Sequence, residues 1–301
     1  MVCSETILRR GDSLSERQLN FGFCSALEFV IVLALFGRVL NAFAQEAPPH
    51  AVKGSVFDAV GLNGQMWSTN GTYSPLERGN VLSQAYFEQT ASVYSTWNNS
   101  VTITPYAGFG LVTDTKGYSW NNKIQPSGGI KVNKSFRYGI ISVGTAYAYE
   151  DRFNDSKVPK ASGRTDYILD WFGWQPVSSK TSRYPGSTWA IIGHFSPVEH
   201  GNLIEQAFVT QGFVLHRFNW AAIVPYGEFT IGHDSQGFDW ENRAISGAGV
   251  KLGIPRGQLY TDLGVGVVHE NRFNTGLSAN GLKVVMNVSY TWHLFGRGEH
   301  Y

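Results

Sequence analysis

The sequence predicts an all-β protein in which twelve antiparallel strands form a barrel from two duplicated six-stranded halves. The first observation behind this prediction is an alternation of apolar and polar residues with a period of two. The second is a long segment that recurs 120 residues further along the chain. The composition agrees, because 43% hydrophobic and only 16% charged residues in a chain of 301 exclude disorder. A net charge of +1 gives no electrostatic reason to expect nucleic acid as a partner.

The N-terminal segment has the features of a secretory signal peptide. Arg9 and Arg10 precede the apolar run 29–36, which leads to the small-residue site Ala42-Phe43-Ala44. We therefore expect residues 1–44 to be removed and residues 45–64 to form a lead-in to the folded domain. Both cysteines of the chain lie in the removed segment, so the mature protein would contain neither a disulfide nor a cysteine-bound metal.

The mature chain contains an internal repeat. The residues matched at offsets of 120 and 122 include Trp67/Trp189, Glu77/Glu199, Pro105/Pro225, Tyr106/Tyr226 and Gly129/Gly249. The repeated units span residues 65–174 and 187–295. A unit of this length is too long for a solenoid, so we interpret the units as two halves of one structure.

Each unit contains six segments with the alternation of a β-strand. The last segment is the clearest, because Val284, Met286 and Val288 alternate with more polar neighbours such as Asn287. The predicted strands are 66–74, 82–97, 101–115, 125–134, 139–152, 164–174, 188–197, 203–218, 221–234, 245–254, 258–272 and 283–295. These strands form one domain over residues 65–295, followed by a short tail over 296–301.

The connections between these strands alternate in length. Short turns such as Asn98-Asn99 and Asn219-Trp220 alternate with longer polar links such as Lys116–Ile124, and the link Gln175–Gly186 is a long exception at the seam of the halves. Strands of at least nine residues, an even strand count and this alternation are typical of a transmembrane barrel with short periplasmic turns. The prediction is therefore a twelve-stranded antiparallel transmembrane β-barrel.

In these features the sequence resembles the Gram-negative outer-membrane β-barrel class. The resemblance rests on the signal peptide, the cysteine-free mature chain, the alternating strands and a final strand that ends at Phe295. It departs from the class in the tail Gly296–Tyr301, since such proteins usually end at the aromatic residue of the last strand. The resemblance implies a place in the outer membrane, surrounded by its lipid.

Candidate ligand-binding residues lie where strands meet the longer links. The pattern D-x-x-G-x-x-W-x-N-(K/R) occurs twice, and each copy is followed by E-x-R-F-N. Indole faces beside carboxylates, amides and a cation suit a saccharide, because its CH groups stack on Trp and its hydroxyls form hydrogen bonds. The candidates are Asp114, Trp120, Asn122, Lys123, Glu150, Arg152, Asp234, Trp240, Asn242, Arg243, Glu270 and Arg272. The alternative interpretation is structural, with Asp, Gly and Asn making turns and Glu-Arg pairs linking strands.

A hydrolase is the enzymatic alternative. His194 and Ser196 are two residues apart in a predicted strand and would share a face, where the imidazole could activate the hydroxyl for lipid or ester cleavage. The sequence lacks the Asn-Gly that usually follows such a pair in outer-membrane phospholipases. The other histidines show no metal-ligand spacing, and we expect neither a metal nor a cofactor.

The predicted function is that of a narrow channel or accessory protein for small solutes or saccharides, and surface-polysaccharide export or binding is the preferred version. A barrel of this size leaves a lumen lined by side chains rather than a wide pore. The residues predicted to line it are Gln84, Glu88, Thr90, Thr230, Asn287 and Thr291. Partners in an export machine are possible under this prediction, and a soluble secreted carbohydrate-binding β-protein is the third alternative.

Overall fold

The computed structural model describes residues 61–95, 101–136, 139–155, 160–167 and 183–295, and within these ranges the chain forms fourteen β-strands. Twelve of them are long: β1 Gly61–Gly71, β2 Leu82–Ser92, β4 Val101–Asp114, β5 Lys123–Phe136, β6 Gly139–Arg152, β7 Lys160–Tyr167, β8 Gly186–Gly193, β9 Ile204–Gly212, β11 Ala222–Asp234, β12 Arg243–Arg256, β13 Leu259–Arg272 and β14 Ser278–Phe295. Two are short: β3 Tyr94–Ser95 and β10 His216–Arg217. The predicted signal peptide, the turn Asn98-Asn99 and the tail lie outside the described residues.

Each of the twelve long strands pairs antiparallel with a neighbour along both of its edges. The pairing order is β11-β12-β13-β14-β1-β2-β4-β5-β6-β7-β8-β9, and β9 pairs in turn with β11. We call these twelve strands the ring. The narrowest junction joins β7 to β8 through two residue pairs, Asp166↔Gly193 and Tyr167↔Ile192. The predicted count of twelve strands is confirmed.

Most strand bounds differ from the prediction by a few residues; β9, for example, ends at Gly212 instead of 218, and β14 begins at Ser278 instead of 283. β1 begins at Gly61, within the segment 45–64 predicted as lead-in, because Gly61 to Gly71 form one continuous ladder with β2. β8 ends at Gly193, four residues before the predicted end at 197. It ends there because the following residues turn away to bond with other parts of the chain, as described below. Pro197 also lacks the N–H that a strand ladder requires.

The ring of strands exposes apolar side chains on one face and buries polar side chains on the other, the reverse of the usual arrangement in a soluble protein. On β13, Leu263, Val265 and Val267 are exposed, with Val267 reaching 65%, whereas Asp262 and Glu270 on the other face are buried. We call the face with the buried polar side chains the inner face and the other the outer face. Alternation in a strand puts every second residue on each face, so the apolar residues form a band on the outer face.

The connections of unequal length lie at opposite edges of the ring. One edge, called here the loop edge, carries the connections 72–81, 115–122, 194–203, 235–242 and 273–277, together with residues 153–155. The other, the turn edge, carries short turns such as Gly257-Gln258. Residues 168–182, which include most of the predicted link Gln175–Gly186, lie outside the described residues. The candidate site residues lie at the loop edge.

Candidate functional site

Asp114 and Asp234 each organise a tight turn at the loop edge. The Asp114 carboxylate accepts hydrogen bonds from the backbone N–H groups of Gly117 and Tyr118, at 2.6 and 3.1 Å, and from Asn122 Nδ2 at 2.8 Å. Asn122 in turn accepts the Asp114 N–H at 3.2 Å and donates to Tyr118 O at 2.7 Å. The side chains thus satisfy the polar groups of the turn, as Asp and Asn commonly do.

The second copy repeats this arrangement. Asp234 accepts the Phe238 N–H at 2.9 Å and Asn242 Nδ2 at 2.5 Å, and Asn242 donates to Phe238 O at 2.8 Å. The glycine of each pattern has a positive φ, 71° at Gly117 and 76° at Gly237. This backbone conformation is accessible to glycine at little cost. The D-x-x-G…N pattern therefore has a structural role in both copies.

Two further loops, absent from the predicted site, complete these turns. Asn80 Nδ2 donates to Asp114 Oδ2 at 3.1 Å, and Asn202 Nδ2 donates to Asp234 Oδ2 at 2.9 Å. These asparagines end the segments 74–80 and 196–202, which both read S-P-x-E-x-G-N. The only signal in the sequence for the role of these two asparagines is that the segment occurs twice. The spacing of its residues does not indicate which strand the segment contacts.

The carboxylate of Glu150 is fully buried in a cluster of cations and hydroxyls. It accepts Arg152 Nε at 2.7 Å and Ser196 Oγ at 2.5 Å, and Lys123 Nζ lies 3.7 Å away. Arg152 Nη2 also donates to Glu199 at 2.5 Å. The Glu-Arg pair predicted to share a face does so, and it binds the loop 194–203 to the inner face of β6.

Glu270 has the same environment on the other side of the ring. It accepts Arg272 Nε at 3.1 Å, lies 3.4 Å from Arg243 Nη1, and accepts the hydroxyl of Ser74. Arg272 also binds Glu77 at 3.2 Å. The loop 72–81 is thereby fixed to β13, two pairing steps from β1. Each loop of the S-P-x-E-x-G-N type thus binds one buried Glu-Arg pair.

Four aromatic rings form a continuous stack between the two D-x-x-G loops. The centroid distances are 4.7 Å from Tyr118 to Trp120, 4.3 Å from Trp120 to Trp240 and 4.7 Å from Trp240 to Phe238, with interplanar angles of 7 to 14°. We call this group the aromatic stack. Each indole is covered by a ring on both faces, so a sugar ring could stack on Trp120 or Trp240 only by separating them.

The aromatic stack joins loops that start from distant strands. Trp120 lies between β4 and β5, whereas Trp240 lies between β11 and β12. In the pairing order β4 and β11 are six steps apart in either direction. The two loops therefore have to cross the ring of strands from opposite sides in order to meet.

The middle of the inner face carries paired charges. Lys131 binds Glu88 at 2.6 Å, Lys251 lies 3.7 Å from Asp262, and Lys283 binds Glu228. Lys131 also lies over the ring of Tyr106, 4.3 Å from its centroid. Near this layer, burial raises the pKa of Tyr73 from its ordinary value of 10 to about 12. Glu88 and Asn287, both predicted to line the lumen, lie on this face.

The hydrolase prediction is wrong about the local structure. His194 and Ser196 were expected to share a strand face, but β8 ends at Gly193 and both residues lie in the loop that follows. The Ser196 hydroxyl donates to Glu150, and His194 Nδ1 lies 3.0 Å from Asn202 O. The hydrogen bonds of Ser196 therefore serve the Glu150 cluster and the turn at Glu199, whose N–H it accepts at 3.2 Å.

The described part of the chain contains neither a cluster of metal-ligating side chains nor a long apolar helix. No group of three His, Cys, Asp or Glu side chains in those ranges is placed to hold a metal ion. Within the same ranges, no helix has the length and apolar character needed to cross a membrane.

Comparisons with known proteins give a likeness of fold. No protein-family model and no curated protein matches the sequence. Among solved structures, the β domain of the Bordetella autotransporter BrkA is 11% identical, with 77% of this chain and 99% of that chain covered at a TM-score of 0.35. A bacterial polysaccharide outer membrane secretin is 10% identical, with 77% of this chain and 98% of that chain covered at a TM-score of 0.35. The translocator domain of the autotransporter NalP from Neisseria meningitidis is 12% identical, with 88% of this chain and 98% of that chain covered at a TM-score of 0.31.

These similar structures are outer-membrane β-barrels, and they indicate no specific family. Because every TM-score lies below 0.5, the likeness carries no argument about function.

Proposed function

We propose that this chain is an outer-membrane β-barrel in which the ring of strands closes around a polar interior, built from two duplicated halves. The pairing of β9 with both β8 and β11 supports closure. The exposed apolar band on the outer face supports contact with lipid, because a soluble protein would need a second layer to cover it. On this proposal residues 1–44 direct the chain to export, and the loop edge faces the outside of the cell.

The proposed activity is that of a narrow channel for small solutes or saccharides, with passage or binding of surface-polysaccharide segments as its specific form. One observation carries this proposal: the inner face is polar, and its outer end is crossed by loops that meet at the aromatic stack. A lumen of this kind admits small polar solutes in a controlled way and excludes folded proteins. A role as an accessory protein, with partners in an export machine, remains a prediction.

Fractionation and conductance together test the proposal. The expressed protein should be recovered with outer membranes, and unboiled and boiled samples should migrate differently in a gel. The purified protein in planar bilayers should then give a small conductance, and vesicles containing it should swell in small sugars. A soluble product with one gel position would overturn the barrel. A membrane-resident, heat-modifiable protein without conductance would retain the barrel and overturn the channel.

A further inference from the structure

We propose that the inner face holds a binding site for a neutral saccharide between two facing indoles, Trp67 and Trp189. This inference rests on the proposed channel, and it differs from the predicted site at the loop edge. Trp67 on β1 lies beside Tyr86 on β2, with ring centroids 5.9 Å apart. Trp189 on β8 lies beside Phe208 on β9, also at 5.9 Å.

Neighbours on the same strands show that Trp67 points inward. Side chains two residues apart share a face, and Thr69 on β1 bonds with Asn287, which in turn donates to the inner-face residue Asp262 at 2.7 Å. In the other direction along β1, Gln65 Nε2 lies 3.4 Å from buried Glu88. Trp67 lies between these two positions, and its side chain therefore faces the interior.

Phe208 and Trp189 also lie on the inner face, on the side of the ring of strands opposite Trp67. Two residues after Phe208, Thr210 is buried and is the register partner of Glu228, which binds Lys283. Trp189 is the register partner of Phe208 and shares its face. Each half of the ring thus contributes one Trp with an aromatic neighbour.

The two indoles lie on opposite sides of the ring. β1 and β8 are six pairing steps apart in either direction. Twelve strands spaced about 4.8 Å apart and tilted by about 40° form a barrel roughly 24 Å across between backbones. Two large side chains that reach inward from opposite walls narrow this space to a slot with an aromatic surface on each side.

Trp67 has free surface within that slot. Its side chain is 40% exposed although it points inward, whereas the nearby inner-face residues Glu88 and Lys131 are almost completely buried. Trp120 and Trp240 are each covered by an aromatic side chain on both faces of the indole. The aromatic contact described for Trp67 is with Tyr86 alone. An indole with an open face can stack on the CH surface of a pyranose.

The charges around the slot favour a neutral ligand. The three inner-face lysines described above are each paired with a carboxylate, so within this set positive and negative charges cancel. Such a set gives neither a cation nor an anion an advantage. Polar side chains next to Trp67, Gln84 and Ser289 among them, provide hydrogen-bond partners for sugar hydroxyls.

The experiment measures binding and transport separately, with maltohexaose and cellohexaose as probes. Calorimetry of the detergent-solubilised protein gives the dissociation constant, and planar bilayers give the sugar-dependent block of current. Trp67→Ala and Trp189→Ala should each weaken binding by about tenfold, the loss expected for one stacking contact, and Trp67→Phe should retain most of it. Trp220→Ala, an exposed indole in a loop at the turn edge, is the matched control and should bind as the parent does.

The outcomes separate this site from the channel. Binding that depends on both indoles in a protein without conductance supports the site and overturns the channel. Conductance with block that both alanine variants retain supports the channel and overturns the site. No binding of either probe to a heat-modifiable, folded parent also overturns the site. The gel shift of each variant verifies that a loss of binding does not come from loss of folding.

Discussion

Trp120 and Trp240 stack with ring centroids 4.3 Å apart, although their loops begin on strands six pairing steps apart. The contact therefore joins two loops that reach across the loop edge from opposite sides of the ring of strands. Each indole contributes to a stack whose energy beyond buried area is about 0.5–1.5 kcal/mol per pair.

The first prediction follows from this contact. The double variant Trp120→Ala/Trp240→Ala should widen the loop edge, because the central contact between the loops is lost while the D-x-x-G turns remain. Vesicles with the variant should swell several-fold faster in small sugars than vesicles with the parent. Phe218→Ala, an exposed aromatic residue in a loop at the turn edge, should leave the rate unchanged. Weaker glycan binding without faster swelling would instead support the saccharide site predicted at these two indoles.

A second prediction concerns the buried carboxylate Glu150. Removal of one partner from a buried ion pair leaves an uncompensated charge, so Glu150→Ala should lower the free energy of unfolding by about 3 kcal/mol or more. The exposed Glu205, 4.0 Å from His233, is the matched control, and its alanine variant should change stability by less than about 1 kcal/mol. Urea unfolding in detergent micelles measures both. Equal effects would contradict the role assigned to the Glu150 cluster.

The sequence predicted the repeated elements of the site and missed the contacts between them. Spacing within one segment is enough to indicate that Glu150 and Arg152 share a strand face, because that depends on local geometry alone. Ser196 binds Glu150 from 46 positions further along the chain, and Ser74 binds Glu270 from 196 positions earlier. These groups meet because their strands lie two pairing steps apart in the sheet, β6 from β8 and β13 from β1, and no local pattern in the sequence indicates that order.

The same limit explains the error at β8. Residues 194–197 continue the alternation of the strand, so a local pattern extends the strand to 197. In the structure Ser196 instead donates to Glu150 and accepts the Glu199 N–H, and this turn ends the strand. A buried hydrogen bond to a charged group outweighs a few more ladder bonds at a strand end.

A third prediction concerns the glycines of the D-x-x-G turns. Gly237 has φ of 76°, a conformation that costs other residues about 1–2 kcal/mol. Gly237→Ala should therefore lower the temperature at which the unboiled gel band shifts. Gly227→Ala is the control, since a Cβ there would meet its nearest neighbour, Gly247 O, at 3.8 Å. Similar shifts for both variants would contradict the requirement for glycine at this turn.

A fourth prediction is a dependence of stability on pH through Glu241, in the loop 235–242. Burial raises the pKa of this carboxyl above its ordinary value of 4.5, and Gln206 Nε2 donates to it at 2.8 Å. Between the ordinary and the raised pKa the folded protein binds more protons than the unfolded chain. Stability from this group is therefore present at acid pH and lost as pH rises through the raised pKa.

Glu241→Gln tests this dependence because the amide keeps an oxygen for Gln206 and does not titrate. The variant should be more stable than the parent at neutral pH, and the difference should shrink as the pH falls toward 4.5. Urea unfolding at a series of pH values measures it, with Glu205→Gln as the exposed control. A difference that is constant with pH would contradict the assignment.

The last prediction concerns Tyr260, whose buried hydroxyl has no hydrogen-bond partner among the residues that the structure describes. Its ring packs against Ala222 and Val224 on the inner face. A buried polar group without a partner costs its desolvation, so Tyr260→Phe should raise the free energy of unfolding by about 1 kcal/mol. Tyr86→Phe gives the opposite case, because the Tyr86 hydroxyl donates to Glu88 at 2.6 Å and its removal should cost about 1.5–3 kcal/mol. Urea unfolding of both variants under the same conditions should give changes of opposite sign, and destabilisation by Tyr260→Phe would show that its hydroxyl has a partner in the folded protein.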